Sequence, residues 1–403
     1  MTTAEIVFDP FSEDFFNGAY QTYRRMRDEQ PVYYNADLDF YALTRHADVA
    51  PAYKDAATYS SARGTDLASI RNGLPVDTGP RMIIMMDPPS HRDMRSLLNK
   101  VFTPRAIQAQ KAMATEKIDK YLNRVDPDGF DAVQDFAAPF PVEVITSMLG
   151  APEDDAQKVR HWVDLSLTRE IGQLELTEEG TQASIDTAMY YYGLIEQRRA
   201  QPRDDLLTKL LGAELVRHDG KKTRLDDIEI AAFATMLGGA GAETVTKLVG
   251  SAIYLFARHP HQWQKLLDDR SRIPAAVEEL LRYEAPSQYN VRVATRDVQL
   301  HGQTIPEGAP VFLINGSANR DHLAWTDADT FDIDRDRTEA QNLGLGYGIH
   351  SCLGAALARM ESAIALEKLL DFMPRYEVDF ERCERVQMAN VVGWKTIPVR
   401  VIR

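Results

Sequence analysis

Apolar positions along this chain recur mainly at helical spacing. That period predicts a loop leading into an amphipathic helix over Asp14–Gln30, and two helices between Ser90 and Tyr121 that break at Thr103-Pro104. It predicts further helices at about 137–150, 155–170 and 180–200. A long helix at about 226–258 opens on Asp226 and Glu229, the spacing of a capping box, and stops before His259-Pro260. Two more helices are expected at Pro274–Tyr283 and Ala355–Leu370. Pro31–Leu43 reads as a β-hairpin with a polar turn, and short strands fit Val291–Leu300, Pro310–Ile314 and Thr396–Ile402. Asp321–Gln341 has turn chemistry and little periodicity. The expected fold is mainly α with a minor β component, in a single domain over residues 1–403, because no linker, repeat or low-complexity segment divides the chain.

Composition narrows the classes. A formal net charge of −14 excludes a uniformly basic nucleic-acid surface. Two cysteines make no disulfide framework and fit a reducing, cytoplasmic setting. The first thirty residues show no signal-peptide pattern. Ala231–Ala257 is strongly apolar, but Glu243 and Lys247 interrupt it and leave uncharged runs of 12 and 10 residues. Both runs are too short to cross a bilayer, so a buried core helix is expected, with no membrane partner.

The candidate chemistry centres on Cys352. It follows Gly344, Gly346 and Gly348 and directly precedes the helix expected from Ala355. Glycines let backbone lie flat against a ligand, and a helix N-terminus favours a thiolate. A thiolate beside a flat surface suits a haem iron. Taken alone, a lone cysteine before a helix is more often an inert buried residue. A zinc site is disfavoured, since the other cysteine, Cys383, has no Cys/His cluster around it. The long helix carries Gly238-Gly239-Ala240-Gly241-Ala242-Glu243-Thr244. Three interior glycines cost a helix about 3 kcal/mol relative to alanine. Either close helix packing or approach to a flat ligand offsets that. Glu243 and Thr244 add an acid and a hydroxyl at the expected gap. Glu279 and Arg282 share a helix face, which is most often a surface ion pair.

Together these runs resemble the cytochrome P-450 family, in order and spacing. The resemblance extends to Asp87-Pro88-Pro89-Ser90-His91-Arg92-Asp93-Met94-Arg95, to Asn319-Arg320-Asp321 and to Phe331-Asp332-Ile333-Asp334-Arg335, and covers nearly the whole chain. It implies a fold that holds haem b between the long helix and the cysteine loop, with Cys352 as the iron's thiolate ligand. It implies propionate contacts from His91, Arg95, Arg292 and His350, and a cofactor face at Ala240 and Gly241. Glu279, Arg282 and Arg335 are implied to form a buried structural charge triad. Thr244 and Glu243 would deliver the protons that dioxygen activation consumes. Two positions depart from the family pattern. Leu345 stands where a phenylalanine is usual, which bears on redox potential rather than ligation. Val245 stands where a second hydroxyl is common.

The resemblance implies an oxygen-inserting monooxygenase that uses O2 and acts on an apolar small molecule with one polar handle: a terpenoid, steroid, fatty-acyl or aromatic compound. A peroxide-driven or reductase-independent enzyme of the same fold is the alternative, and a haem-based sensor is a third reading. Met82, Met85, Met86, Ala240, Gly241, Val291, Val392 and Trp394 are expected at the substrate pocket, with Gln288, Tyr289 and Asn290 as polar groups nearby. For the Met82–Met86 run, a core role is an equal reading. Electrons are expected from a ferredoxin, its reductase and NAD(P)H. The ferredoxin would dock on Lys100, Arg105, Lys111 and Arg359, or else these are ordinary solvated charges.

Overall fold

The long helix organises everything else. In the computed structural model, which describes residues 5–73 and 82–403, it runs unbroken over Asp227–Arg258. At 1.5 Å per residue this is about 48 Å of helix. Its start is a reciprocal capping box: Glu229 N–H donates to the Asp226 carboxylate at 2.8 Å, and Asp226 N–H donates to the Glu229 carboxylate at 3.0 Å. From Val245 to Ile253 every residue is buried, so this stretch is core all round rather than amphipathic. Helices Pro139–Leu149, Ala156–Leu167, Glu178–Ala200, Ile273–Tyr283 and Ala355–Phe372 pack against it and close the main core.

Other elements follow the expected pattern with local breaks. The first helix is split into Glu13–Phe16 and Tyr20–Glu29, because Gly18 adopts φ +91° between them. Ser90–Tyr121 holds three helices, Ser90–Val101, Pro104–Ala109 and Lys111–Leu122. The second is capped where the Thr103 hydroxyl accepts from Ala106 N–H at 3.1 Å. The strand expected at Val291–Leu300 divides into Asn290–Ala294 and Val298–Leu300. The second piece folds back on Gln303–Ile305 through His301 and Gly302, both at positive φ.

The main sheet has strands β1 (Val32–Asn35), β2 (Phe40–Leu43), β3 (Tyr59–Ser60), β4 (Asn290–Ala294) and β5 (Pro310–Leu313), in the order β1-β2-β5-β4-β3. β5 runs parallel to β2, with Val311 opposite Tyr41, and the other pairs are antiparallel. An aromatic cluster including Phe8, Phe15, Tyr23, Phe40, Tyr289 and Phe312 ties the N-terminal helices to this sheet. The C-terminal strand is Pro398–Val401, while Thr396 ends the separate strand Trp394–Thr396, which pairs with Glu384–Arg385. Among the described residues no helix is long and apolar enough to cross a membrane.

Candidate active site

Cys352 is placed by a loop that folds back on itself. Its N–H donates to Leu345 O at 2.9 Å. The loop can close that tightly because Gly346 and Gly348 sit at φ +68° and +71°, where a side chain is strained. A Cβ at Gly344 would lie 2.2 Å from Leu281 O, and one at Gly348 would lie 2.5 Å from Tyr53 O. These two glycines therefore press against the protein's own backbone. This corrects the expectation that the three glycines leave a bare surface for a ligand. The helix Ala355–Phe372 begins three residues after the cysteine. Its N-terminus does not set the thiol's acidity alone. Burial pushes the Cys352 pKa up, against the Gly354 N–H, Arg95 and Arg359, which pull it down. Packed atoms surround the thiol, yet Cys352 keeps an exposed side.

A buried charge cluster fixes the loop from behind. Arg282 Nε and Nη2 donate to the two Glu279 carboxylate oxygens, both at 2.8 Å. Arg335 Nε reaches Glu279 Oε1 at 3.3 Å, and Asp332 N–H donates to the same oxygen at 2.9 Å. The remaining Arg282 donors bind Asn319 O and Ala328 O at 2.8 Å and Thr330 O at 3.0 Å. Arg335 binds Asp327 O and Thr330 O at 3.0 and 2.8 Å, and also Thr326 O. The two guanidinium groups thus supply the donors that the irregular segment lacks within itself. That segment then holds the cysteine loop: Leu343 N–H donates to Asn319 Oδ1 at 2.8 Å, and Asn342 Nδ2 donates to Glu278 O at 2.9 Å.

Four basic groups gather beside the loop, and among the described residues none of them has an ion pair with a protein carboxylate. The His91 and His350 rings lie with centroids 4.3 Å apart and planes tilted by 57°, and among the described residues the buried Nε2 of each has no partner. Burial first, then Arg95, pushes the His91 pKa down to about 4; burial, then Arg292, pushes His350 down to about 3. Arg292 is only 6 % exposed, yet its guanidinium donates to its neighbour's carbonyl, Val291 O, at 2.7 Å. Burial lowers its pKa and that of Arg95. The nearby Asp87 carboxylate is already occupied by the Ser60 hydroxyl at 2.5 Å and Ser61 N–H at 2.9 Å. A buried cluster of this kind is costly unless anionic oxygens complete it.

On the long helix, Ala240 is exposed and Gly241 and Thr244 are half-buried, an open patch in an otherwise packed element. The Thr244 hydroxyl donates back to Ala240 O at 2.8 Å. The glycine run has a packing explanation at two positions. A Cβ at Gly238 would fall 2.5 Å from the Tyr191 hydroxyl, and one at Gly241 would fall 3.0 Å from Ile145 Cγ1. Gly241 thus admits Pro139–Leu149 on its Cα side while its other side stays on the open patch. Glu243 lies off the open patch. It is 4 % exposed and pairs with Lys247, one helical turn on, at 2.6 Å. This corrects the expectation of an acid standing with Thr244 in the gap. The pairing was visible in the sequence as Glu and Lys four apart.

The family model described as "Cytochrome P450" matches residues 175–391 of this chain. A relative named "Putative cytochrome P450 123" from Mycobacterium bovis is 39% identical over 400 residues, covering 98% of this chain and 97% of the relative. The chain belongs to the cytochrome P450 family. "Erythromycin C-12 hydroxylase" from Saccharopolyspora erythraea is 35% identical over 380 residues, 93% of this P450 and 92% of that protein. The solved open structure of cytochrome P450 EryK from S. erythraea superposes with a TM-score of 0.86 at 33% identity, covering 96% of each chain. This P450 is therefore a haem-dependent monooxygenase with the P450 fold.

The residues present fit a haem. Its two propionates are the anions that the orphaned His91 and His350 nitrogens and the buried Arg292 call for. The open side of Cys352 and the open patch at Ala240 and Thr244 leave the two surfaces that a planar cofactor needs. Of the expected substrate contacts, Val291 lines a cavity of about 470 Å³ that also reaches Arg292 and His350. Tyr289, Asn290, Phe11 and Ile84 line it too, while Met82, Met85 and Met86 sit half-buried beside it without lining it. Two of the expected contacts do not line this cavity. Val392 is buried in the N-terminal aromatic cluster. Trp394 stacks on Tyr254 at 4.0 Å and under the Arg385 guanidinium at 3.8 Å. Both follow their strand and loop into the core rather than into the cavity. Of the expected docking cations, Lys100, Arg105 and Lys111 are exposed, while Arg359 is paired with Glu278.

Proposed function

We propose that this P450, as a single haem-thiolate domain over residues 1–403, hydroxylates or epoxidises an apolar small molecule carrying one polar group. The cavity of about 470 Å³ carries this reading, because it is walled by Phe11, Leu67, Val291 and Phe312 and ends on the Arg292–His350 cradle. Polar groups share the lining with these walls: Thr65, Asp66, Arg169, Glu175, Asn290 and Asn390 are the groups available to hold the ligand's polar end. The erythromycin hydroxylase among the relatives supports carbon hydroxylation as the reaction type.

Bound haem supplies the dioxygen and redox chemistry. Cys352 would hold it through its sulfur. Arg292, Arg95, His91 and His350 set its orientation through the propionates. Thr244 moves its hydroxyl from Ala240 O to order a water and pass a proton toward the open patch. Electrons come from a separate ferredoxin, served by a reductase and NAD(P)H, that docks on Lys100, Arg105 and Lys111.

Adding terpenoids, steroids, fatty acids and small aromatics in turn to the ferric enzyme tests the substrate class. One class is expected to shift the Soret band to shorter wavelength. A response to none of the four overturns the apolar-substrate reading. Thr244→Ala should then turn reducing equivalents into peroxide, with product per NAD(P)H falling at least roughly tenfold. A peroxide assay on the same reaction checks this, and unchanged coupling contradicts the role of the hydroxyl.

A further inference from the structure

On the flank of the long helix away from Thr244, a second polar space reaches Glu243. It has a volume of about 750 Å³ and is open to solvent. Its charged lining comes from four elements. The long helix contributes Glu243 and Lys247, and Ala156–Leu167 contributes Arg160 and Asp164. The hairpin at 384–396 contributes Glu384, Arg385 and Lys395, and the first short helix contributes Glu13. Several of these charges are already matched. Lys247 takes Glu243 at 2.6 Å and leans on Trp394 O at 3.4 Å, Arg385 pairs with Glu284, and Lys395 sits 3.6 Å from Glu384. Asp164 and Arg160 are not matched. Among the described residues neither side chain has an ion pair, and Arg160 Nη1 is buried with no hydrogen-bond partner.

We infer that Asp164 is the proton-loading carboxyl of this P450, taking protons from water in the cleft and passing them to Glu243. It is a positioning and relay residue, one step further from the reaction than Thr244. Three observations support it. Asp164 and Glu243 line the same open cleft from two different helices. Glu243 is 4 % exposed and held by Lys247, while Asp164 is half-buried and is the carboxyl of the two more open to cleft water. Asp164 also responds to its neighbour. Burial, then the Glu243 charge, pushes its pKa up to about 7, against Lys247 and Arg160, which pull it down. A carboxyl poised there both gains and loses a proton at neutral pH.

The step balances without redox change. A hydronium in the cleft loses a proton to an Asp164 oxygen and becomes water. The Asp164 O–H bond then breaks as one forms on Glu243, and Lys247 keeps its own proton. Glu243 and Thr244 follow each other on the helix but point about 100° apart, so the proton passes from the loaded acid to the hydroxyl through water. The inference rests on the monooxygenase reading of Thr244, but its first test does not depend on turnover.

That test is an infrared difference titration of the ferric holoenzyme in light and heavy water. A carboxyl band is expected to titrate near pH 7, about where Asp164 is placed. It should vanish in Asp164→Asn and persist in Asp164→Glu. In Glu243→Gln its midpoint should fall, since a repelling charge is gone. An unmoved haem spectrum in each variant reports that the fold is intact. A stability readout carries its own sign. The folded carboxyl holds its proton up to about pH 7 while the unfolded one loses it near 3.8, so stability falls across that window as pH rises. Asp164→Asn should therefore raise the melting temperature above the window and leave it unchanged below. With ferredoxin, reductase and NAD(P)H, Asp164→Asn should slow NAD(P)H oxidation roughly tenfold and enlarge its solvent isotope effect, with Asp164→Glu restoring both. No carboxyl with that midpoint, a midpoint unmoved in Glu243→Gln, or wild-type oxidation by Asp164→Asn would each overturn the inference.

Discussion

Cys352→Ser is expected to abolish the thiolate-haem spectrum and reduce turnover at least a thousandfold, while leaving the protein folded. Serine matches the cysteine in size, so the loop keeps the contacts that shape it. The backbone bond from residue 352 to Leu345 O and the left-handed Gly346 and Gly348 do not involve the sulfur. What is lost is the soft, electron-rich ligand. A serine hydroxyl holds its proton far more tightly than a thiol and is a poor donor to haem iron. The cradle of His91, Arg95, Arg292 and His350 remains, so some haem should still bind through its propionates. Stability without cofactor should change by less than about 1 kcal/mol, as for most substitutions that keep packing intact. Circular dichroism and the reduced carbon-monoxide difference spectrum of the same preparation check both halves. A variant with wild-type spectrum and turnover would mean that another group binds the iron.

Arg282→Ala should destabilise the fold by about 3–5 kcal/mol, the range for breaking a buried ion pair from one side. Truncation removes both bonds to Glu279 and the donors to Asn319 O, Ala328 O and Thr330 O. Glu279 then keeps only Arg335 and the Asp332 N–H, at 4 % exposure. Added salt does not offset this, because the pair is buried and screening acts at the surface. Arg282→Lys should restore little, since an ammonium has no fork to span two carboxylate oxygens and three carbonyls. The loss reaches the active site through Asn319, which supports Leu343 in the cysteine loop. Haem retention should therefore fall along with the urea midpoint. A variant that loses stability but retains haem like wild type would separate the charge cluster from the loop.

Much of this was legible in the sequence because it depends on local order. The long helix carries its own cap and period, so its ends are read within one residue. The cysteine loop and the Glu279–Arg282 pair are short, contiguous patterns. What escaped needed a partner from elsewhere in the chain. Gly238 looks like open space until Tyr191 is seen against it, and Gly344 and Gly348 look like a ligand surface until Leu281 and Tyr53 back them. Trp394 and Val392 are apolar and late in the chain, and nothing in their spacing tells cavity from core. Glu243 belonged to both categories. Its link to Lys247 was readable at four residues' distance, but Asp164 and Arg160 arrive on a helix some eighty residues earlier. Gly18 was a missed signal of a simpler kind, a glycine inside a helical period that marks a break.

The central claim is that Cys352 presents a thiolate to haem held by the histidine–arginine cradle. The reduced carbon-monoxide spectrum of the haem-loaded wild-type protein tests it most directly. A Soret band at the long wavelength characteristic of thiolate ligation is the result expected. A band at the shorter wavelength of imidazole-ligated haem, in protein that has never been denatured, would contradict it.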